Sequence, residues 1–331
     1  MKFLLRSLVF CILLGLLAGG AFYTWFTRPL ELPAATVEFR VPQGSGLRAV
    51  TRVLEQAGVP VHPDLLVLAA RLLGKEGAIR AGTYGIERGI TPEQLLDTLV
   101  QGKVLQMELR LVEGWTFRQW RAQMARQPGL ELLAGQLSEA ELMARLGLAG
   151  QAAEGMFFPD TYLVDKYSSD LELLARAAKA MQKHLEREWA ARDPGLPYRN
   201  AYEALIMASI VEKETGVEAD RPLVAGVFVN RLRQGMRLQT DPTVIYGLGE
   251  RFDGNLRKVD LQTDTPHNTY TRVGLPPTPI AMPSLASLRA ALHPARTNAL
   301  YFVARGDGSS HFSASLDEHN QAVNRYQRRG R

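Results

Sequence analysis

The stretch AYEALIMASIVEKETG at 201–216 ends in two glutamates separated by a lysine, on a segment whose apolar residues recur at helical spacing. Ile206, Met207, Ile210 and Val211 form one stripe, and the positions four after Ile210 and three after Val211 coincide at Glu214. Glu214 therefore continues the apolar face of an amphipathic helix, while Glu212 falls on nearly the opposite side. Partial burial disfavours an ionised carboxylate, and so does the negative end of a helix dipole. A carboxyl held there keeps its proton near neutral pH, which is the requirement for a general acid. The bland alternative is a surface glutamate at a frayed helix end, or one paired with an arginine such as Arg221.

The helix that must carry this carboxyl has its own boundary signals. Asn200 suits the N-cap, Glu203 completes a capping-box pattern, and Gly216 sits where a glycine would end the helix. A second helix is expected in EADRPLVAGVFVNRLRQG, capped by Glu218 or Asp220 and stopped at Gly235. The segment after it, MRLQTDPTVIYGLG, crowds Gln239, Thr240, Asp241, Thr243 and Tyr246 together. HNTY at 267–270 and the proline-rich VGLPPTPIAMP at 273–283 follow. Amides and hydroxyls mixed with tyrosines suit sugar recognition, because hydroxyls need hydrogen bonds in register and ring faces rest on aromatics. Each element is equally readable as a loop held by its own hydrogen bonds.

Other chemistries find less support. His267, His293, His311 and His319 form no HxxxH or HExxH pair, so no metal ligand set is expected. No GxSxG nucleophile elbow occurs. The charge balance of 39 basic to 34 acidic residues is only mildly positive, and no dense basic stripe with interleaved aromatics suggests nucleic acid as a partner.

The N-terminus sets the compartment. MKFLLRSLVFCILLGLLAGGAFYTWFTR carries Lys2 and Arg6 and then no charge from Ser7 to Thr27, long enough to cross a bilayer. Basic residues ahead of the span favour a cytoplasmic N-terminus and an exported body. A retained anchor over 1–28, with Phe22, Tyr23, Trp25 and Phe26 as an interfacial belt, is expected. A signal peptide cleaved near Ala18–Ala21 is the competing reading. Cys11, the single cysteine, lies inside this span, so the exported body can form no internal disulfide and relies on its core. With 331 residues, 46% of them hydrophobic, such a core is available.

Behind a linker at 29–36, Val37, Phe39 and Val41 alternate with polar residues as in a half-buried strand. Helices near 47–57 and after Pro63, a strand in AGTYGIERGI, and a helix with Thr91 as N-cap, Pro92 at its first position and Gly102 after its end complete a small α+β unit over 37–102. Beyond it, 103–331 shows strand alternation near VLQMELRLVEGW, mostly helical patterns to 195 interrupted by EGMFFPDTYLV, a strand pair around GDGSS, and a closing helix from about Leu316. The fold class expected is α+β throughout.

ASIVEKET, VFVNRLRQGMRLQTDPTVIYGLG, HNTY, GLPPTPIAMP and YFVARGDGSSHFSASLDEHN, with LVEGWT and FFPDTY upstream, together resemble the YceG-like family of endolytic murein transglycosylases. The uninterrupted RLRQGMRLQTDPTVIYG block is the most specific, and the resemblance covers almost the whole chain. It implies a LysM-like module at 37–102, a YceG-like catalytic domain at 103–331, and a membrane-tethered lytic transglycosylase working in the periplasm from the inner membrane, without cofactor. The family's catalytic glutamate is the second of EKET, here Glu214. Gln239, Asp241, Thr243, Tyr246, Asn268 and Tyr270 are the residues expected to hold the glycan. His267 stands where the family commonly has tyrosine. Nascent peptidoglycan strands, and penicillin-binding synthases nearby, are the implied partners.

A lytic transglycosylase needs one carboxyl where ordinary glycosidases need two, because the sugar's own C6 hydroxyl is the nucleophile. A hydrolytic muramidase is the first rival and requires a second carboxylate, with Asp241, Asp160 and Glu154 as candidates. A non-catalytic wall-binding scaffold is the second.

Overall fold

The structure is a computed structural model and describes residues 2–328. Met1 and residues 329–331, the extreme ends of the expected anchor and catalytic domain, lie outside the described residues. The chain divides into two compact units: one comprises Met1–Glu108 with Leu163–Tyr167, the other Leu109–Tyr162 with Ser168–Arg331.

The first unit opens with α1 (Lys2–Thr27), long and apolar enough to cross a membrane. β1 (Thr36–Val41), α2 (Leu47–Gln56), α3 (Pro63–Leu72), β2 (Gly82–Glu87) and α4 (Pro92–Gln101) follow. β1 and β2 pair antiparallel from Thr36↔Glu87 to Val41↔Gly82, and Val37, Phe39 and Val41 are buried as the alternation requires. Thr91 closes a capping box on α4, and Gly102 ends that helix at φ 68°, a conformation only glycine adopts without strain. The end of α1 departs from expectation. Phe26 is buried and Phe22 and Trp25 are packed against the core of this unit, so three of the four residues expected as an interfacial belt serve as core, while Tyr23 stays exposed. Leu30 N donates to Ile90 O at 2.8 Å just beyond, fixing the exit of α1 beside the start of α4.

β3 (Gln106–Arg110) opens the next stretch, followed by α5 (Phe117–Met124), α6 (Glu139–Arg145) and β4 (Thr161–Asp165). β3 and β4 form a two-stranded sheet, and the division between the units falls inside both strands. The second unit continues with α7 (Asp170–Ala190), α8 (Ala201–Glu214), α9 (Arg221–Arg233), α10 (Asp241–Leu248), α11 (Lys258–Gln262), α12 (Leu285–Leu292), β5 (Tyr301–Ala304), β6 (Ser310–Ser313) and α13 (Leu316–Val323). β5 and β6 are the hairpin anticipated around GDGSS, in register Tyr301↔Ser313.

α8 is the centre of this unit. It packs against α7, α9, α10 and α12, and every residue from Glu203 to Val211 is buried. The amphipathic pattern expected for it is therefore replaced by burial on all sides, the condition of a core helix. Its ends also differ in detail. Asn200 caps it by accepting from Glu203 N at 3.0 Å, but the Glu203 carboxylate turns to Arg199 N at 2.7 Å, so no capping box closes. At the other end the chain leaves through an extended Thr215 (φ −147°, ψ 133°), and Gly216 does not form a left-handed terminus.

Candidate active site

Glu214 is the last residue of α8 and is half-buried. Burial pushes its carboxyl up to about 7, helped by the nearby Asp241 charge; a hydrogen bond from Thr240 and the Arg231 charge pull the other way. Thr240 Oγ1 donates to Glu214 Oε1. Arg231 comes from α9 and is itself buried. Its guanidinium is spent on backbone carbonyls, Nε to Leu300 O at 2.7 Å and Nη1 to Leu238 O at 2.8 Å. It therefore supplies a fixed positive charge behind the acid and ties α9 to the segment that delivers Thr240.

The LQTDPT segment is aimed by a set of threonines. Gln239 takes a positive φ of 51°, and its N–H donates to Thr269 O at 3.2 Å. Thr240 N donates to Thr269 Oγ1 at 3.1 Å, and Thr243 Oγ1 donates to Thr240 O at 2.7 Å. Thr269 and Thr243 hydroxyls meet at 2.8 Å. Thr240 occupies the N-cap position of α10, yet its hydroxyl does not cap that helix, because it is turned to Glu214.

The residues expected to bind sugar separate into three groups. Asp241 and Gln239 are exposed and Tyr270 is half-buried, with Tyr270 Oη donating to Asp241 Oδ1 at 2.5 Å. Burial and then this hydrogen bond raise the Tyr270 pKa. The Asp241 charge acts on Glu214 and the Glu214 charge acts on Tyr270, so the structure brings both residues near Glu214. Thr243 and Asn268 are fully buried. Asn268 Nδ2 lies within reach of Thr263 O at 2.7 Å and Leu261 O at 3.1 Å, while its Oδ1 accepts from Tyr270 N at 2.8 Å. Its amide is used in shaping the loop that presents Tyr270, and Thr243 is used in aiming Thr240.

Tyr246 belongs to a different cluster. Its hydroxyl hydrogen-bonds Glu154 and Thr278, and its ring meets His267 edge-on at 4.8 Å. Glu154 is buried and accepts from Phe117 N at the start of α5 at 3.1 Å. Burial drives its carboxyl up to about 8 against the pull of these hydrogen bonds. His267 Nε2 and Thr278 Oγ1 lie 2.9 Å apart, and burial lowers the His267 pKa.

Glu212, the other glutamate of the motif, has a structural duty. Its Oε2 accepts from Ser284 N at 3.0 Å, Ser284 Oγ at 2.5 Å and Ser287 Oγ at 2.6 Å, at the N-terminus of α12. Lys213 Nζ donates to Gly114 O at 3.1 Å. Of the three charged residues in EKE, one clasps α12, one clasps the loop before α5, and one is left as a hydrogen-bonded acid.

Thr269 and Arg231 are not singled out by the sequence, and Thr240 stands there only among grouped polar residues, not as the partner of Glu214. Thr240 reads locally as one more polar group and Arg231 as one of two arginines in NRLR; neither local pattern exposes a partner distant in sequence.

A mixed α and β body with a proton-bearing carboxyl at a helix terminus, hydrogen-bonded hydroxyls behind it and exposed polar and aromatic groups beside it has the parts of a carbohydrate-cleaving site. The chain matches the YceG-like family over residues 39–325, and it belongs to that family. It is 30% identical over 332 residues to the endolytic murein transglycosylase of Bacillus subtilis strain 168, covering 94% of this chain and 91% of that one. It is 28% identical over 361 residues to the endolytic murein transglycosylase of Streptococcus pneumoniae D39, covering 97% of this chain and 64% of that longer protein. A crystal structure of a YceG-like protein from Listeria monocytogenes superposes with a TM-score of 0.54 at 28% identity, over 87% of this chain and 98% of that one.

Proposed function

We propose that the chain is a membrane-anchored lytic transglycosylase that cuts peptidoglycan glycan strands internally, with Glu214 as its acid and then its base. The observation that carries this reading is the state of Glu214: a half-buried carboxyl poised at about 7, with one oxygen engaged by Thr240. Such a group is protonated in half the molecules at neutral pH and can both give and take a proton. The curated relatives' shared activity supports the substrate class.

In the proposed reaction Glu214 protonates the oxygen of the MurNAc–GlcNAc bond, and the C1–O bond breaks with its electron pair leaving on that oxygen. The carboxylate then removes the proton of the MurNAc C6 hydroxyl, whose oxygen attacks C1 of the same ring. A 1,6-anhydro-MurNAc end forms, Glu214 regains its proton, and no water is consumed. Because the nucleophile is carried by the substrate, its effective concentration is set by the ring itself. The Asp241 carboxylate, held by Tyr270, stands where it can stabilise the oxocarbenium-like charge.

The remaining assignments follow from this reading. Residues 1–28 anchor the chain in the inner membrane with the N-terminus cytoplasmic, 29–36 link, 37–102 form a LysM-like module and 103–331 the periplasmic catalytic domain. The β1–α2–α3–β2 order of the small unit supports the module. Peptidoglycan synthases are the expected neighbours of a cutter held at the membrane.

The test is digestion of purified glycan strands by the full-length protein in detergent beside Glu214→Gln. Internal fragments made by the first and absent with the second are the expected result; cleavage undiminished by the substitution refutes the assignment of the acid. A hydrolytic reading retains one specific observation, the nearby Asp241 carboxylate, and predicts reducing MurNAc ends instead.

A further inference from the structure

We propose that Thr240 is the positioning residue that decides which oxygen of Glu214 carries the catalytic proton; the proposal rests on Glu214 being the acid of the reaction above. A protonated carboxyl has two oxygens and one hydrogen, and only the oxygen turned to the substrate is useful. Thr240 Oγ1 donates to Oε1, which makes Oε1 an acceptor and leaves the proton on Oε2.

The surrounding hydroxyls fix the Thr240 backbone, and Glu214 Oε1 is the acceptor its hydroxyl meets. Thr243 gives its single hydroxyl proton to Thr240 O at 2.7 Å. Its 2.8 Å contact with Thr269 must therefore be donated by Thr269, whose oxygen also accepts from Thr240 N at 3.1 Å. Thr269 and Thr243 thus hold the Thr240 backbone from both sides. Thr240 is buried, and its hydroxyl does not serve as the cap of α10 despite standing at the cap position. It is consequently available to Glu214 in both protonation states. After proton transfer Oε1 still accepts from Thr240, so Oε2 is also the oxygen that receives the C6 hydroxyl proton. One oxygen performs both halves of the reaction, and the carboxyl does not rotate between them.

The experiment compares wild type, Thr240→Val, Thr240→Ser and Glu214→Gln as full-length proteins in detergent, acting on soluble glycan strands, with kcat and KM followed from pH 5 to 9. Thr240→Val is expected to lose about 10- to 100-fold in kcat at little change in KM, the worth of one hydrogen bond to a charged group. Its alkaline limb is expected to move to higher pH, because the Thr240 bond favours the carboxylate. Thr240→Ser keeps the donor and is expected to restore both rate and limb. A purely structural threonine lowers the folded fraction and leaves the limb unmoved. Wild-type kcat and an unmoved limb in Thr240→Val overturn the proposal, as does a serine variant no better than valine. Should Thr240→Val lose the native near-ultraviolet dichroism, Thr240→Ala takes its place and the same outcomes decide. An active Glu214→Gln defeats the functional reading itself, whereas an inactive Glu214→Gln beside a fully active Thr240→Val defeats the positioning role alone.

Discussion

The acid limb and the alkaline limb of the pH–rate profile are expected to be unequal, and the inequality follows from the single carboxyl. Glu214 must be protonated to act, and its pKa stands at about 7. In kcat/KM, which reports the free enzyme, activity is then flat below pH 6 and falls tenfold per unit above 7, reaching about one-hundredth of the plateau at pH 9. No ionised general base is needed, so no matching fall appears on the acid side down to the range where ordinary carboxylates titrate. The Asp241 charge helps hold the proton on Glu214. Asp241→Asn removes that charge and is expected to move the alkaline limb to lower pH, whatever it does to the plateau through lost substrate contacts. The assay is release of fragments from soluble strands of defined length, at substrate far below KM, in buffers of constant ionic strength. A symmetric bell centred near pH 6 refutes the one-carboxyl mechanism and points to a second essential carboxylate. A limb that Asp241→Asn leaves in place refutes the electrostatic account of Glu214.

Two further outcomes concern the frame around the site. Glu154 binds its proton far more tightly in the folded chain, at about 8 against an ordinary 4.5. The unfolded state therefore carries fewer protons over that interval, and stability falls as pH rises through it, by about 3 kcal/mol between pH 5 and pH 8. Glu154→Gln lacks this titration, so its melting temperature is expected to fall less steeply with pH than that of wild type; parallel curves contradict the burial argument. Glu212→Ala strands Ser284 N and two serine hydroxyls at the start of α12 and is expected to cost about 2–4 kcal/mol. It should melt markedly earlier while the remaining folded enzyme keeps its alkaline limb; an unchanged melting temperature shows that the clasp contributes nothing.

The 36–41 strand, the 301–313 hairpin and the Gly235 stop are legible in the sequence because each needs only local pattern, whereas the facing of Glu214 rests on an amphipathic helix and α8 is buried on all sides. What distinguishes Glu212 was not legible. The heptad-like count places it on an outer face, but that face meets α12, whose serines lie more than seventy residues away in sequence. Asn268 and Thr243 were read as sugar contacts from their polarity, and their polarity is spent inside the protein, since a buried amide must find backbone partners. Gly216 suggests a left-handed terminus from its type alone; the chain instead extends at Thr215. Local pattern reports where elements begin and end; tertiary packing decides what each face touches.

Cleavage of glycan strands in water enriched in ¹⁸O, with the new ends weighed by mass spectrometry, tests the central claim most directly. The account predicts MurNAc ends one water lighter than reducing ends, free of ¹⁸O, and absent when Glu214→Gln replaces the wild type. Reducing ends that carry the heavy oxygen contradict it, because they show that water, and not the sugar's own C6 hydroxyl, closes the reaction.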